Sequence, residues 1–230
     1  MPVSGPLTTS GGPARTVGPD RLKRLVDIVG AALLLLATAP LMAVVAIMVA
    51  GRLGRPVLFR QCRPGRHGAP FELVKFRSMH PPAPSEGRVG DGDRLTPFGR
   101  WLRATSLDEL PTLWNVLRGD MSLVGPRPLL THYLDRYSPT QARRHEVRPG
   151  VTGLAQVRGR NSLSWEEKLE LDVRYVDDRN FRLDLSILAA TVGAVLHRRG
   201  INAQGMATAP EFLGTPHHPT APPQRDRSPA

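Results

Sequence analysis

The longest apolar stretch of the chain lies near its start, at residues 25–50, and only Asp27, Thr38 and Pro40 interrupt it. It exceeds the roughly 20 residues that a helix needs to cross the hydrocarbon core of a bilayer. Basic residues flank both of its ends: Arg21, Lys23, Arg24, Arg52 and Arg55. Flanking basic residues favour the cytoplasmic side, and a central proline kinks a helix. The pattern therefore predicts a re-entrant membrane helix over 21–51 that bends near Pro40, with a single straight span as the alternative.

Two short segments with loose alternation of polar and apolar residues follow. They cover residues 56–62 and 71–76, and a Gly-Arg-His-Gly sequence at 65–68 lies between them. Alternation on either side of glycines is typical of a β-hairpin. The second expected strand places Lys75, and Arg77 two residues later, on the same face.

A short helix is predicted in the middle of the chain, where apolar residues recur with helical spacing and Gly119 follows as a stop signal. Since Pro111 fits only the first turn of a helix, we expect this helix to begin at residue 107 or 108. Asp108 and Glu109 would then lie at the positive end of the helix dipole, which favours ionised carboxylates. Alternatively, Glu109 and Ser106 form a capping box and have no further role. The apolar positions are Leu110, Leu113, Trp114 and Leu117.

Two more helices are predicted in the C-terminal half. Ser164 and Glu167 have the spacing of a capping box, which opens a helix that runs to about residue 176. Asp172 falls on the apolar face of that helix, so we expect it to pair with a buried arginine. Residues 181–196 form an amphipathic helix suited either to the membrane interface or to the core, and the role of Asp184 within it stays open.

These elements predict a mostly α fold with short β-strands, of the α+β class, in which amphipathic helices lie at the membrane interface. Residues 1–20 and the proline-rich residues 204–230 have the composition of disordered tails. Residues 21–51 form the membrane helix, and residues 52–203 form one folded domain.

The charge of the chain indicates a phosphate-bearing ligand. The formal net charge is +11, and arginine supplies nearly all of the positive charge. Nucleic acid, anionic lipid and a nucleotide substrate all satisfy such a protein. The single cysteine, Cys62, excludes an intramolecular disulfide and a metal site built from several cysteines.

One arginine stands out from this excess. Arg127 lies between Pro126 and Pro128, and these two prolines fix its backbone in an extended conformation. A rigidly held arginine suits an anion clamp better than it suits surface solubility.

The motif around these residues resembles the signature of the bacterial sugar transferases, the monotopic polyprenyl-phosphate phosphoglycosyl transferases. It reads Ser-Leu-Asp-Glu-Leu-Pro at 106–111 and Asn-Val-Leu-Arg-Gly-Asp-Met-Ser-Leu-Val-Gly-Pro-Arg-Pro at 115–128. The likeness includes Lys-Phe-Arg-Ser-Met at 75–79 and Arg-Pro-Gly-Val-Thr-Gly at 148–153, and it covers about residues 21 to 200. Larger relatives carry extra N-terminal spans, so the resemblance implies a minimal catalytic form.

The resemblance implies an activity and assigns roles. A polyprenyl-phosphate glycosyl-1-phosphate transferase moves a sugar-1-phosphate from a nucleotide sugar, here expected to be a UDP-sugar, to undecaprenyl phosphate in exopolysaccharide, O-antigen or glycoconjugate synthesis. Asp108 would be the nucleophile that forms an aspartyl-phosphosugar intermediate, and Glu109 would assist with metal or protons. Mg²⁺ is the implied cofactor, held by the same two carboxylates. The residues expected to bind substrate phosphate are Lys75, Arg77, Arg103 and Arg127.

The implied location is the bacterial cytoplasmic membrane, with the re-entrant helix in the lipid bilayer and the catalytic domain facing the cytoplasm. A homodimer is compatible with the sequence, and no nucleic acid is expected as a partner. A membrane-tethered nucleic-acid-binding protein remains an alternative, although aromatic residues make up only 5% of the chain. Its three tryptophans, Trp101, Trp114 and Trp165, are predicted to lie in the core. A non-catalytic scaffold is the other alternative.

Overall fold

The computed structural model of the chain describes residues 18–81, 91–159, 162–196 and 211–214. The fold is mostly helical with short strands, as predicted. The helices are α1 Gly18–Leu53, α2 Asp91–Arg94, α3 Pro97–Ala104, α4 Thr112–Arg118, α5 Pro139–Ala142, α6 Leu154–Arg158, α7 Trp165–Asp178 and α8 Phe181–Leu196. The strands are β1 Leu58–Pro64, β2 Pro70–Phe76, β3 Ser122–Val124 and β4 Gly150–Thr152.

The long helix α1 contains the predicted apolar stretch and begins three residues before it was expected to, at Gly18. It is long and apolar enough to cross a membrane, and little of its most apolar window is buried against protein. Pro40 lies inside it and has no N–H to donate to the preceding turn. Ahead of Pro40, the Thr38 hydroxyl donates to the carbonyl of Leu34 at 2.6 Å.

The two halves of α1 pack against two different apolar clusters of the domain. Before Pro40, Ala31 and Leu35 contact the main core, which also contains residues from α4, β3, α7 and α8. After Pro40, a second cluster joins the helix to β2 and α3 through Val45, Val49, Leu53, Phe76, Phe98 and Leu102. Between these contacts, apolar side chains such as Leu33, Leu36 and Leu41 are exposed.

The predicted β-hairpin is confirmed. β1 and β2 pair antiparallel with Leu58 opposite Phe76 and Pro64 opposite Pro70. The connecting turn includes a 3₁₀ segment, Arg66–Gly68, in which Gly68 has φ +75°. β3 and β4 form a separate parallel pair.

The start of the central helix was predicted wrongly. α4 begins at Thr112, with Pro111 at its N-cap, and Asp108 and Glu109 lie in a preceding 3₁₀ turn, Leu107–Glu109. Ser106 adopts a left-handed conformation with φ 56°, and its side chain makes no capping hydrogen bond. The capping-box alternative is therefore also wrong. The predicted stop is confirmed, since Gly119 ends α4 with φ 96°.

Two of the predicted core tryptophans are exposed instead. The exposed fractions are 40% for Trp101 and 54% for Trp114. Because the fully buried Asn115 must face β2, α4 turns a face that includes Leu113 and Val116 inward, and this rotation carries Trp114 outward.

The helices of the C-terminal half follow their predictions closely. Ser164 and Glu167 form the expected capping box at the start of α7. Asp172 is buried and accepts hydrogen bonds from Arg144 at 2.6 and 3.0 Å, which confirms the buried arginine partner. α8 buries Ile187 in the main core and exposes Phe181, Leu185 and Val192.

Both predicted tails lie mostly outside the described residues. Of residues 1–20, the structure describes 18–20, and they belong to α1. Of residues 204–230, it describes 211–214, which pack on the domain through Phe212.

Candidate active site

The adjacent acids Asp108 and Glu109 lie in the turn between α3 and α4, which we call the carboxylate turn (Leu107–Glu109). α4 is fixed to the hairpin by two side chains that cross to β2. The Thr112 hydroxyl donates to the carbonyl of Val74 at 3.0 Å, and the Asn115 amide donates to the carbonyl of Glu72 at 2.7 Å and accepts from the N–H of Val74. The carboxylate turn is thereby held next to Lys75 on β2.

Glu109 forms the centre of an ion cluster. Its Oε1 atom accepts from Lys75 Nζ at 2.7 Å and from Arg127 Nη2 at 2.6 Å. Burial of Glu109 favours the neutral acid, but the charges of Arg127 and Lys75 outweigh burial and hold the pKa of this carboxyl well below its usual range. Glu109 is therefore ionised at all ordinary pH values.

Asp108 has a different environment although it is the next residue. It is only 8% exposed, and no group of the described residues donates a hydrogen bond to its carboxylate. Burial, followed by the negative charge of Glu109, raises the pKa of Asp108 to about 6, against the opposing charges of Lys75, Arg103 and Arg127. At pH 7 most molecules thus carry an ionised Asp108 that is poorly solvated and that accepts no hydrogen bond from the described part of the chain.

Arg127 is carried by a loop, residues 125–130, whose backbone fits closely against the turn after residue 147. A Cβ atom on Gly125 would lie 2.5 Å from the carbonyl oxygen of Arg148, and one on Gly153 would lie 2.2 Å from the oxygen of Gly125. Only glycine permits this approach, which accounts for the glycines at these positions in the two sequence motifs at 115–128 and 148–153. We call residues 125–130 the arginine loop.

The four predicted phosphate-binding residues do not all meet at one point. Lys75 and Arg127 converge on Glu109. Arg103 donates from Nε to Ser78 Oγ at 3.0 Å, and its charge is close enough to lower the pKa of Asp108. Arg77 is buried and donates to the carbonyl oxygens of Leu53 and Gly54 at the end of α1, outside the ion cluster.

Sequence reasoning missed the side chains that hold the site in place. The most important is Arg144, which donates to the backbone carbonyl of Arg127 at 2.7 Å while it pairs with Asp172. The sequence indicated that Asp172 needs a buried arginine partner, but it did not show which of the many arginines this is. Asn115 was the other, a polar residue inside an apolar run.

A metal ion has few ligands available from the protein. The described residues contain no group of three or more His, Cys, Asp and Glu side chains that could hold one. Asp108 and Glu109 alone offer two carboxylates. This donor set fits Mg²⁺ bound mainly through water and substrate phosphate, which is its common mode in phosphoryl-transfer sites.

Comparison with known proteins identifies the family to which this arrangement belongs. A sequence profile described as bacterial sugar transferase matches residues 19–198. The chain belongs to the bacterial sugar transferase family. This confirms the resemblance and the prediction that the protein is a transferase.

Three relatives of this sugar transferase illustrate the range of similarity. An uncharacterized sugar transferase of Bacillus subtilis is 52% identical over 195 residues, covering 84% of this chain and 96% of the relative. The UDP-glucose:undecaprenyl-phosphate glucose-1-phosphate transferase of Caulobacter vibrioides is 45% identical, covering 81% and 74%. The undecaprenyl-phosphate galactose phosphotransferase of Salmonella typhimurium is 40% identical, covering 78% of this chain and 41% of that longer protein.

Proposed function

We propose that this protein transfers a sugar-1-phosphate from a UDP-sugar to undecaprenyl phosphate and releases UMP. The relatives from Caulobacter and Salmonella carry names that describe this reaction with glucose and galactose. The observation that carries the proposal is the contrast within the carboxylate turn. Glu109 is paired with two cations, and its neighbour Asp108 is buried and receives no hydrogen bond from any residue that the structure describes.

In the first step, a carboxylate oxygen of Asp108 attacks the phosphorus atom attached to the sugar. The new acyl–phosphate bond forms as the bond to the UMP oxygen breaks, and UMP leaves with the electron pair. In the second step, a phosphate oxygen of the lipid attacks the same phosphorus and releases Asp108 as a carboxylate. A desolvated carboxylate with a pKa near 6 is ionised at pH 7 and is more nucleophilic than a fully hydrated one.

The cations around Asp108 stabilise the charge that develops on the phosphoryl oxygens. Arg127 and Lys75 each form an ion pair with Glu109, and their remaining N–H groups can donate hydrogen bonds to a diphosphate. Arg103 lies beside Asp108 in the same site. Arg77 contributes by fixing the end of α1 to β2, because its Nη2 group donates to the carbonyls of Leu53 and Gly54.

Mg²⁺ is the proposed cofactor, held by Asp108 and Glu109 together with substrate phosphate. When bound, it neutralises charge on the diphosphate and makes UMP a better leaving group.

The protein is further proposed to lie in the cytoplasmic membrane, with α1 as a re-entrant helix and the domain in the cytoplasm. Two observations support this topology. Both halves of α1, on either side of Pro40, contact the same domain. Basic residues flank both ends of the apolar stretch, and each end is thereby favoured on the cytoplasmic side.

The covalent step can be tested by measuring the intact mass of the purified protein after incubation with Mg²⁺ and single UDP-sugars, without lipid acceptor. We expect a mass gain of one sugar phosphate in the wild type and none in Asp108→Asn. Asp178→Asn, an exposed acid on α7, is the matched control and should gain the same mass as the wild type.

Two other results would contradict parts of the proposal. Release of UMP only after lipid phosphate is added, with no adduct, would indicate direct displacement by the acceptor. Absence of both adduct and turnover with every donor tested would favour a non-catalytic scaffold.

A further inference from the structure

Residues 211–214, which we call the tail segment, insert one aromatic side chain into the domain. Phe212 is 2% exposed, whereas the next residue, Leu213, is 80% exposed. The ring of Phe212 lies 5.6 Å from that of Tyr133, 5.6 Å from that of Tyr137 and 5.4 Å from that of Trp165. We call this site the aromatic pocket; its walls are Tyr133, Tyr137, Trp165 and Leu169.

Polar contacts add specificity to this insertion. The N–H of Phe212 donates to Tyr133 Oη at 3.2 Å, and Arg136 donates to the carbonyl of Phe212. Arg136 also donates to Glu211 Oε1 at 2.8 Å, and His132 Nε2 lies 3.6 Å from the same oxygen. The pocket is therefore complementary to an acidic residue followed by an aromatic one. Both the backbone N–H and the backbone carbonyl of that aromatic residue form hydrogen bonds with it.

The aromatic pocket is continuous with the arginine loop. Leu129 and Leu130, which follow Arg127 closely in sequence, pack against the cluster that contains Phe212. A second connection runs through Tyr137, which stacks on Phe212 and accepts from Arg144 Nη1 at 3.3 Å. Arg144 in turn holds the backbone carbonyl of Arg127.

We propose that the tail segment is an intrachain ligand of the aromatic pocket and that Phe212 is a positioning residue for Arg127. An inserted Phe212 fixes Tyr137, Leu129 and Leu130, and these fix the backbone from which Arg127 reaches Glu109 and the substrate phosphate. The catalytic consequence rests on the proposed function, because it assumes that Arg127 contacts the diphosphate. The structural consequence, a fixed arginine loop, does not.

The structural consequence is tested by hydrogen exchange of the full-length protein in detergent without substrate. We expect the amides of the arginine loop to exchange at least about fivefold faster in Phe212→Ala than in the wild type, because local opening becomes easier. Leu213→Ala, a change of the same kind at the next and exposed position, should leave them unchanged. Equal exchange in the two variants would overturn the proposal.

The catalytic consequence is tested by steady-state kinetics of the same variants. We expect the KM for the UDP-sugar to rise about tenfold in Phe212→Ala with a smaller change in kcat, since a misplaced arginine weakens phosphate binding. A peptide of residues 209–216 added in trans should restore the KM, and the peptide with alanine at position 212 should not. Unchanged KM in Phe212→Ala, or rescue by both peptides, would refute the positioning role.

These two measurements separate the two proposals. Faster exchange in Phe212→Ala, in a protein whose wild type shows neither a sugar-phosphate adduct nor turnover with any donor, would refute the proposed function and retain the docked tail. If Phe212→Ala does not fold, Glu211→Gln removes only the ion pair with Arg136 and His132 and permits the same comparison. Glu170→Gln, an exposed acid on α7, is its control.

Discussion

Two neighbouring carboxyl groups differ in the carboxylate turn because the nearby cations Lys75 and Arg127 donate hydrogen bonds to Glu109 but not to Asp108. Lys75 and Arg127 share one oxygen of Glu109, while Asp108 is buried beside this cluster and has no hydrogen-bond donor among the residues in the described ranges. The total charge of the site is nearly balanced, yet Asp108, which the described residues give no hydrogen bond, is the carboxylate with a raised pKa. This arrangement keeps a reactive carboxylate ionised by nearby charge and leaves its oxygens available for phosphorus.

Replacement of Lys75 by methionine tests this balance. Lys75→Met removes one of the two cations on Glu109 and also a charge that favours the ionised form of Asp108. We expect kcat/KM to fall about 100-fold, comparable to the loss of one charge-stabilising donor in other enzymes. Arg60→Met, which removes an exposed cation from the paired strand, is the control. Activity within twofold of the wild type in Lys75→Met would exclude this role.

The half-buried environment of a second residue, His145, makes the folding stability depend on pH. His145 is half-buried with Nδ1 3.3 Å from the carbonyl oxygen of Gly65, and burial, followed by the charge of Arg144, lowers its pKa to about 4. Unfolded histidine titrates near 6.5, so the unfolded state binds more protons between these values and stability falls as the pH drops from about 6.5 toward 4.

The expected contribution of His145 is about 1 kcal/mol at pH 5, after allowance for partial exposure. Thermal unfolding in detergent at pH 7.5 and pH 5 measures it. His145→Gln, which keeps a donor for Gly65, should show a smaller loss of melting temperature over this range than the wild type. An equal loss in both proteins would assign the acid sensitivity to other groups.

At the scale of elements, α1 is fixed to the domain by a buried acid in its third turn. Asp27 Oδ1 accepts from Ser122 Oγ and from the N–H of Leu123, both at 3.0 Å. Arg24 donates to the carbonyls of Val116 and Leu117 at the end of α4. These contacts hold the first half of α1 against α4 and β3.

Asp27→Asn tests the strength of this attachment. The amide cannot carry the negative charge that the two donors solvate, so we expect a loss of about 2 kcal/mol of unfolding free energy. Chemical unfolding in detergent, followed by tryptophan fluorescence, provides the measurement. Asp20→Asn, which changes a half-exposed acid nearer the start of α1, should change the unfolding free energy by less than about 0.5 kcal/mol. Equal losses in the two variants would contradict the structural role of Asp27.

The elements that could be predicted are those whose signals are local. Capping of α7 by Ser164 and the hairpin both follow from neighbouring residues, and each was confirmed. The start of α4 was missed because nothing local marks Ser106 as left-handed. Likewise the sequence grouped Lys75 with Arg77, but a contact with the end of α1 draws Arg77 away, and such contacts lie outside any sequence window.

At the scale of the whole molecule, the proposed re-entrant topology makes the two ends of α1 accessible from one side. Cysteines at positions 22 and 55, which are exposed at the two ends of the apolar stretch, report this in a Cys62→Ser background. In intact cells, a membrane-impermeant thiol reagent should label neither position, and after cell lysis it should label both. Labelling of one position alone in intact cells would indicate a straight span.

The hydrogen bond between Ser122 and Asp27 joins residues 95 positions apart. During synthesis, Asp27 is therefore made well before the strand that contains its partner. The helix leaves the ribosome first, with its acid at the edge of the most apolar stretch. At a translation rate of roughly 5–20 residues per second, the strand whose hydrogen bonds compensate for the burial of that acid follows about 5–20 s later. In the proposed membrane topology Asp27 needs water during that interval, so we expect the early turns of α1 to stay at the bilayer surface until β3 arrives. Completion of the domain would then allow α1 to reach its final depth.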